Sequence, residues 1–331
     1  MKLGEPCFSL MLPLTAKKEN DKLNAFSALF DERWKEGISM QGLLVTNAFL
    51  RSAKFDELYA YLSDAAKDLG ITLHHVTNAE IATAVYTQNF PTDFFDFVLF
   101  WDKDVLLAEA LEGLGLFVFN SAKSILWCDD KSLTFRKLQT AGLPMPITIP
   151  APKTFPGVGY PDLMFLQKIK EILGFPIVVK ECFGSFGQQV YLCRTAEELE
   201  KLVIEKAGTP LLFQQAIQES YGRDIRVNIV GGQVIASILR ESKNGDFRSN
   251  ITLGGSMQNY TAAGEEARIA LQAVKALALN FAGVDILFGK NGPLVCEVNS
   301  NAHFKTTLQA TGVNMAEHIM RHIAESVKEK R

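Results

Sequence analysis

Two carboxylates and an amide mark the most informative stretch of this chain, Gly283-Val-Asp-Ile-Leu-Phe-Gly-Lys-Asn-Gly-Pro-Leu-Val-Cys-Glu-Val-Asn299. The spacing predicts strand, turn and strand. With a three-residue loop Lys290-Asn291-Gly292, and Gly292 in the left-handed region, Gly289 pairs with Pro293 and Asp285 stands opposite Glu297. Period-two alternation then gathers Asp285, Glu297 and Asn299 on one face. It leaves Val284, Ile286, Phe288, Leu294, Cys296 and Val298 as an apolar set on the other. A two-residue loop at Asn291-Gly292 would pair Asp285 with Val298 and mix charge into the apolar face, which burial disfavours. Carboxylates this close repel one another unless a hard cation sits among them, and oxygen ligands of this kind suit magnesium holding nucleotide phosphates. A hairpin with one wet polar face is the bland alternative.

Cationic and glycine-bearing segments stand upstream. Lys180 closes the apolar run Phe175-Pro-Ile-Val-Val and is followed by Cys182-Phe-Gly-Ser-Phe-Gly-Gln-Gln-Val190. Gly184 and Gly187 allow backbone amides to approach an anion, Ser185 adds a donor, and Lys180 supplies a point charge. Neither the Walker spacing nor a following helix is present, so a plain hairpin turn is at least an equal alternative. Leu211-Leu-Phe-Gln-Gln-Ala-Ile217 runs from an apolar strand into polar residues, where backbone groups could hold an adenine ring; a buried strand end is the competing reading. In Asp224-Ile-Arg-Val-Asn228, alternation puts Asp224, Arg226 and Asn228 on one side, and Gly245-Asp-Phe-Arg-Ser-Asn250 adds Arg248 and Asn250. An arginine fork fits carboxylate or phosphate and neutralises charge during phosphoryl transfer, although surface salt bridges would account for either arginine singly.

These side chains need elements to position them. Gly42 to Val76 reads as strand, helix, strand, and a second round runs from Phe97-Val98-Leu99-Phe100 through a helix at Val105 to Leu114 to a strand at Leu116 to Phe119. That is a small parallel sheet with crossover helices. Its strand ends carry Asn47 and Asp102, either of which could face a cleft or simply cap. Helices at Ser121 to Cys128 and Lys131 to Ala141 lead into a proline-rich connector, Pro146 through Pro161. Beyond it the strands turn antiparallel, with hairpins at Asp224 to Arg240 and at Gly283 to Asn299 and a helix from Glu265 to Phe281 between them. Before residue 40, Leu23, Phe26, Leu29, Phe30 and Trp34 recur at helical spacing.

Composition sets the bounds. The 331 residues suit two or three subdomains, with 47% apolar and 21% charged residues and a formal net charge of -3. That balance lacks the basic excess of a nucleic-acid binder, and neither a signal peptide nor a membrane span is convincing. Cys7, Cys128, Cys182, Cys193 and Cys296 are scattered without a CxxC pair, as free thiols in a reducing cytoplasm would be.

Taken in order, these residues resemble the ATP-grasp enzymes, and among them the RimK-like ligases (alpha-L-glutamate ligase type) that join an amino acid to a carboxylate. The resemblance spans roughly residues 120 to 325. It rests on Cys128-Asp-Asp-Lys131, Val178-Val-Lys180, the glycine loop at 184 to 187, Gln214-Gln215, Arg223-Asp-Ile-Arg226, Gly245 to Asn250, Ala282-Gly-Val-Asp285 and Glu297-Val-Asn299. It implies an α/β (α+β composite) ATP-grasp fold. Its parts would be an N-terminal extension (1-40), a parallel-sheet domain (41-120), a central lid subdomain (121-215) and a C-terminal antiparallel-sheet subdomain (216-331).

The resemblance further implies that Lys131, Lys180, Gly184, Ser185 and Gly187 contact ATP phosphates. Gln214, Gln215, Ala216 and Ile217 would hold adenine, with Asp224 and Ser249 near the nucleotide. Arg226, Arg248 and Asn250 would serve the reacting phosphate, and Asp285, Glu297 and Asn299 would hold two Mg2+ ions, Mn2+ being able to substitute. The substrates implied are a small-molecule or peptide carboxylate and an amine or amino acid, with no nucleic acid or membrane and a homo-oligomer left open. Departures fall at Gln215 for a usual glutamate, Gln189 for a glycine, Leu253 for an arginine, and Ser300-Asn-Ala-His303 for Ser-Pro-Gly.

Overall fold

The computed structural model describes residues 39–184, 187–249 and 255–330. The helix expected before residue 40, and the roles expected of Ser185, Asn250 and Leu253, lie outside the described residues.

The chain starts as β1 (Met40–Thr46), α1 (Ala53–Asp68), β2 (Ile71–Thr77), α2 (Asn78–Tyr86), β3 (Phe97–Trp101), α3 (Val105–Gly113) and β4 (Val118–Phe119). The strands form one parallel sheet in the order β2-β1-β3-β4. Leu43, Leu44 and Val45, like Phe97 through Phe100, are fully buried, because helices cover both sheet faces. The apolar pattern alone left α2 unassigned; it begins on a capping box in which Glu80 accepts from the Thr77 backbone N–H at 2.8 Å.

Then α4 (Ala122–Asp129) and α5 (Lys131–Thr140) lead to β5 (Thr148–Pro150), α6 (Met164–Leu173), β6 (Ile177–Glu181), β7 (Val190–Cys193), α7 (Ala196–Glu205) and β8 (Leu211–Gln215). The expected connector at 146–161 thus contains an edge strand. The order β5-β8-β6-β7 is antiparallel throughout, and its apolar face packs with α6 and α7 in a core of its own.

The third sheet is antiparallel, in the order β11-β10-β9-β12-β13. It is built from β9 (Arg223–Val230), β10 (Gln233–Glu241), β11 (Ser256–Tyr260), α8 (Gly264–Ala276), β12 (Phe281–Gly289) and β13 (Gly292–Asn299), with α9 (Lys305–Thr311) and α10 (Met315–Lys330) at the end of the chain. Helix α10 joins the parallel sheet to the third sheet. Its Ile319, Met320, Ile323 and Val327 share a core with Leu44, Phe97 and Leu99 of the parallel sheet and with Phe281 of β12. Among the described residues no helix is long and apolar enough to cross a membrane.

One expectation needs correcting in its cause. Asp285 does pair with Glu297, but Gly289 pairs with Gly292, so the loop is Lys290-Asn291 and the register slips by one residue at Cys296. The extra residue is a bulge, and it re-aims the side chains beyond it. Val295, 1% exposed, therefore takes the place on the apolar face that alternation gave to Cys296, while Cys296 lines a cavity on the other face. Leu294 also leaves the apolar set: it pairs with Leu287, which lines the same cavity.

Candidate active site

Adjacent strands place three of the expected residues in one row. Arg226 on β9 pairs with Asp285 on β12, and Asp285 pairs with Glu297 on β13. Directly opposite side chains on one face stand about 5 Å apart at Cβ. Asn299 follows Glu297 by two residues on the same face, opposite Gly283. The lack of a side chain at Gly283 is what opens the row: a Cβ there would lie 2.6 Å from Ala302 and 2.9 Å from Arg226 Cδ. We expect Gly283→Ala to push Arg226 off Asp285 and to lower kcat more than about tenfold, measured in the trapping assay given below; unchanged kinetics would show that the row tolerates the shift.

The row is electrostatically closed by a residue that sequence reasoning missed. Arg226 donates through Nε to Asp285 Oδ1 and through Nη2 to Oδ2 at 2.8 Å. Arg240 donates to both oxygens of Asp224, at 2.7 and 2.6 Å, and its Nη2 stands 2.9 Å from Asp285 Oδ2. None of these four side chains is more than 13% exposed. Burial alone would raise the Asp285 carboxyl, but the Arg226 and Arg240 guanidiniums outweigh it and bring the group down to about 2. Asp224 is absent from the cavity wall and stands behind Arg240, holding it in place.

A cavity of about 300 Å³ opens on this row and lies where the three sheets meet. Its lining includes Lys131, Lys180, Gly184, Gly187, Arg248 and Ser249. Lys131 Nζ donates to the Gly184 carbonyl at 3.0 Å and stands 3.7 Å from Glu297 Oε1. Lys180, 8% exposed, has its Nζ 3.6 Å from Cys296 Sγ. Arg248 holds Asp246 at 2.7 Å and donates to the Gly187 carbonyl at 2.7 Å, tying the glycine loop to the third sheet. Gly184 takes φ +138, and a Cβ on it would meet Gln189 Oε1 at 2.4 Å. Gln189 fills the space beside Gly184.

Residues 214 to 217 line the same cavity. There Gln214 is buried and donates to Thr148 Oγ1 at 2.8 Å, and the Gln215 backbone N–H bonds the Ile147 carbonyl at 2.9 Å. Further lining comes from distant parts of the chain that local patterning did not bring together: Lys54, Trp101 and Lys103 of the parallel-sheet domain, and Asn301 and His303 after β13. Asn47 and Asp102 do not line the cavity; they bond each other at 3.1 Å across the strand ends. Burial pushes the Cys182 thiol up to about 11 and Cys128 up to about 12, which leaves both protonated and unreactive.

The donor set fits a magnesium site. Among the described residues no group of three or more His, Cys, Asp or Glu side chains could hold a metal, and the candidate triad pairs two carboxylates with an amide. Glu297 is partly exposed toward the cavity. Asn299 Nδ2 is buried without a hydrogen-bond partner among the described residues. A half-turn of that amide presents its oxygen without the loss of a bond. Asp285 keeps a lone pair on Oδ1 beside its arginine contacts.

Three sheets closing on a cation-lined cavity, with a carboxylate pair on the antiparallel floor, define the ATP-grasp ligase class. The RimK-like ATP-grasp domain model matches residues 128–323. The chain is 33% identical over 267 residues to "Uncharacterized protein MG012 homolog" of Mycoplasma pneumoniae, covering 80% of this chain and 92% of that one. It is 37% identical over 216 residues to human N-acetylaspartylglutamate synthase A, covering 65% of this chain and 54% of that one, so it spans about half of that relative. The D-alanine--D-alanine ligase from Bacillus anthracis complexed with ATP superposes with a TM-score of 0.66 at 18% identity, covering 89% of this chain and 100% of that one. This chain belongs to the RimK-like ATP-grasp family.

Proposed function

We propose that the protein joins an amino acid, glutamate or a similar one, to a small-molecule or peptide carboxylate at the expense of ATP. A substrate carboxylate oxygen attacks the γ-phosphorus and ADP leaves; the amine nitrogen of the second substrate then attacks the acyl carbon, phosphate leaves, and the nitrogen sheds a proton. The observation that carries the reading is that Lys131, Lys180 and Arg248 line one cavity together with Arg226, Asp285 and Glu297, the last three in one row across adjacent strands. The cations neutralise transferring phosphate, and Arg226, oriented by Asp285, lies where charge develops. Magnesium, when bound, would neutralise phosphate charge further, and Asp285, Glu297 and Asn299 are the residues suited to hold it. Backbone groups of Ala216 and Ile217, just past the strand pairing that engages Gln214 and Gln215, would hold the adenine edge. The name of one relative, a synthase of an aspartylglutamate compound, supports glutamate as the first amine to try.

The test is to incubate the protein with ATP, magnesium, pooled carboxylates and hydroxylamine. A hydroxamate with stoichiometric ADP is the expected product, because hydroxylamine captures an acyl phosphate. A stable phosphoester would instead reveal a kinase, and nucleotide binding without ADP release a non-catalytic binder; either result overturns the ligase reading.

A further inference from the structure

Within the cavity lining, the loop after β13 is bonded to the parallel-sheet domain. Asn301 Nδ2 donates to the Asp102 carbonyl at 2.9 Å. A carbonyl only accepts, so this bond settles the amide's orientation and leaves Oδ1 as the atom turned elsewhere. Asn301 Oδ1 is buried and has no hydrogen-bond partner among the described residues. His303 repeats the arrangement. Its Nε2 lies 3.2 Å from the Lys54 carbonyl, so Nε2 carries the proton and Nδ1 the lone pair. The Phe55 ring stands edge-on to the imidazole at 6.3 Å.

Both residues line the cavity; His303 has spent its ring N–H, and Asn301 one of its two amide N–H groups, on a backbone carbonyl of the other domain. Asn301 Oδ1 and His303 Nδ1 are the acceptors they offer a ligand. Burial, reinforced by the positive charges of Lys54, Lys305 and Arg226, holds His303 down to about 4, so the imidazole is neutral at physiological pH and keeps that lone pair. A buried acceptor without a donor is costly, which makes Asn301 Oδ1 a place where a ligand N–H gains most. The cavity lining also carries Lys54, together with Lys103, which pairs with Asp129 at 2.5 Å, and Arg226, which is held by Asp285. Acceptors beside a cation suit a molecule with both a neutral N–H donor and an anion.

We propose that Asn301 and His303 form the subsite for the amine substrate, an α-amino acid whose neutral amine donates to Asn301 Oδ1 and His303 Nδ1, keeping its lone pair for attack, and whose carboxylate lies toward Lys54. This rests on the ligase reading above and assigns one substrate of that reaction to named residues. Both residues fall in Ser300-Asn-Ala-His303, the loop that follows β13. It leaves the carboxylate substrate the space nearer Arg226 and Glu297.

Two variants test it, Asn301→Leu and His303→Phe, each close in shape to the residue replaced. For each, amide formation with individual L-amino acids is divided by hydroxamate formation, because hydroxylamine reaches the acyl phosphate without an amino-acid subsite. The ratio is expected to fall about 3- to 10-fold in both variants, the loss of one neutral hydrogen bond. A ratio equal to that of the unaltered protein overturns the assignment, as does a loss confined to hydroxamate formation. A second readout needs no turnover: thermal stabilisation by each of the twenty L-amino acids in the presence of magnesium and a non-hydrolysable ATP analogue. A shift seen with the unaltered protein and absent from both variants supports the subsite, whereas equal shifts, or no shift with any amino acid, sink it. Failure of the ligase reading looks different, because the unaltered protein would then make no hydroxamate at all.

Discussion

Replacing Glu297 by Gln is expected to reduce hydroxamate formation by about 10²- to 10³-fold or more and to weaken magnesium-dependent nucleotide binding, with the fold left intact. The substitution keeps the size of the side chain and removes one negative charge at the edge of the row. Its structural cost is small, because the Glu297 side chain is 36% exposed and its ion pair with Lys131 is long, at 3.7 Å. Nor is it a member of the buried group built on Asp285, so no neighbour is stranded. Function and stability are therefore separable at this position as they are not at Asp285. Isothermal titration of a non-hydrolysable ATP analogue, with and without magnesium, reads the binding side. If the variant binds nucleotide with unchanged magnesium dependence and turns over at the full rate, Glu297 is not a ligand and the metal assignment fails.

Much of this site was legible because its residues lie on strands whose alternation is simple. Arg226 on β9 and Lys180 on β6 fall on the cavity side of their strands, as the apolar pattern requires. The two hairpins hid the rest for one physical reason. Each has a tight two-residue turn followed by a single extra residue, at Cys296 in β13 and at Ile235 in β10. An inserted residue flips every side chain beyond it to the other face, and nothing in the local composition announces it. In the first hairpin, two departures from the assumed register cancelled, and Asp285 still met Glu297. In the second, the shift puts Arg240 opposite Asp224; without it, the turn at Gly231-Gly232 would place Arg240 opposite Arg223. Arg240 was thus missed although its strand was found. The subsite at Asn301 and His303 was hidden differently: its partners, Asp102 and Lys54, lie 199 and 249 residues away, beyond any local pattern.

The buried group around Arg240 leads to the second large effect, this time on stability. Arg240→Met removes a guanidinium from between two carboxylates and leaves Asp224 without either of its hydrogen bonds in a side chain only 10% exposed. Stranding a buried charge in this way costs about 3 to 5 kcal/mol, because the desolvation of the remaining ion is no longer offset. Urea unfolding followed by tryptophan fluorescence should show the loss, since Trp101 sits in the core shared with β12 and α10. Substituting Asp224 by Leu in the same chain should recover a large part of it, because an apolar pair leaves no unpaired charge, and Asp285 still has Arg226. Simple additivity of the two substitutions would mean that the four side chains do not act as a unit. The same group sets a pH signature. Asp285 titrates at about 2 in the folded protein, below its ordinary value of 3.8, so its pairing stabilises the fold fully above the ordinary value and the contribution fades as pH falls toward about 2. With Arg240 gone, one of the two cations that depress the group is lost, and the slope of stability against pH in that acid window should flatten. A slope unchanged by Arg240→Met would show that Arg226 alone holds Asp285 ionised.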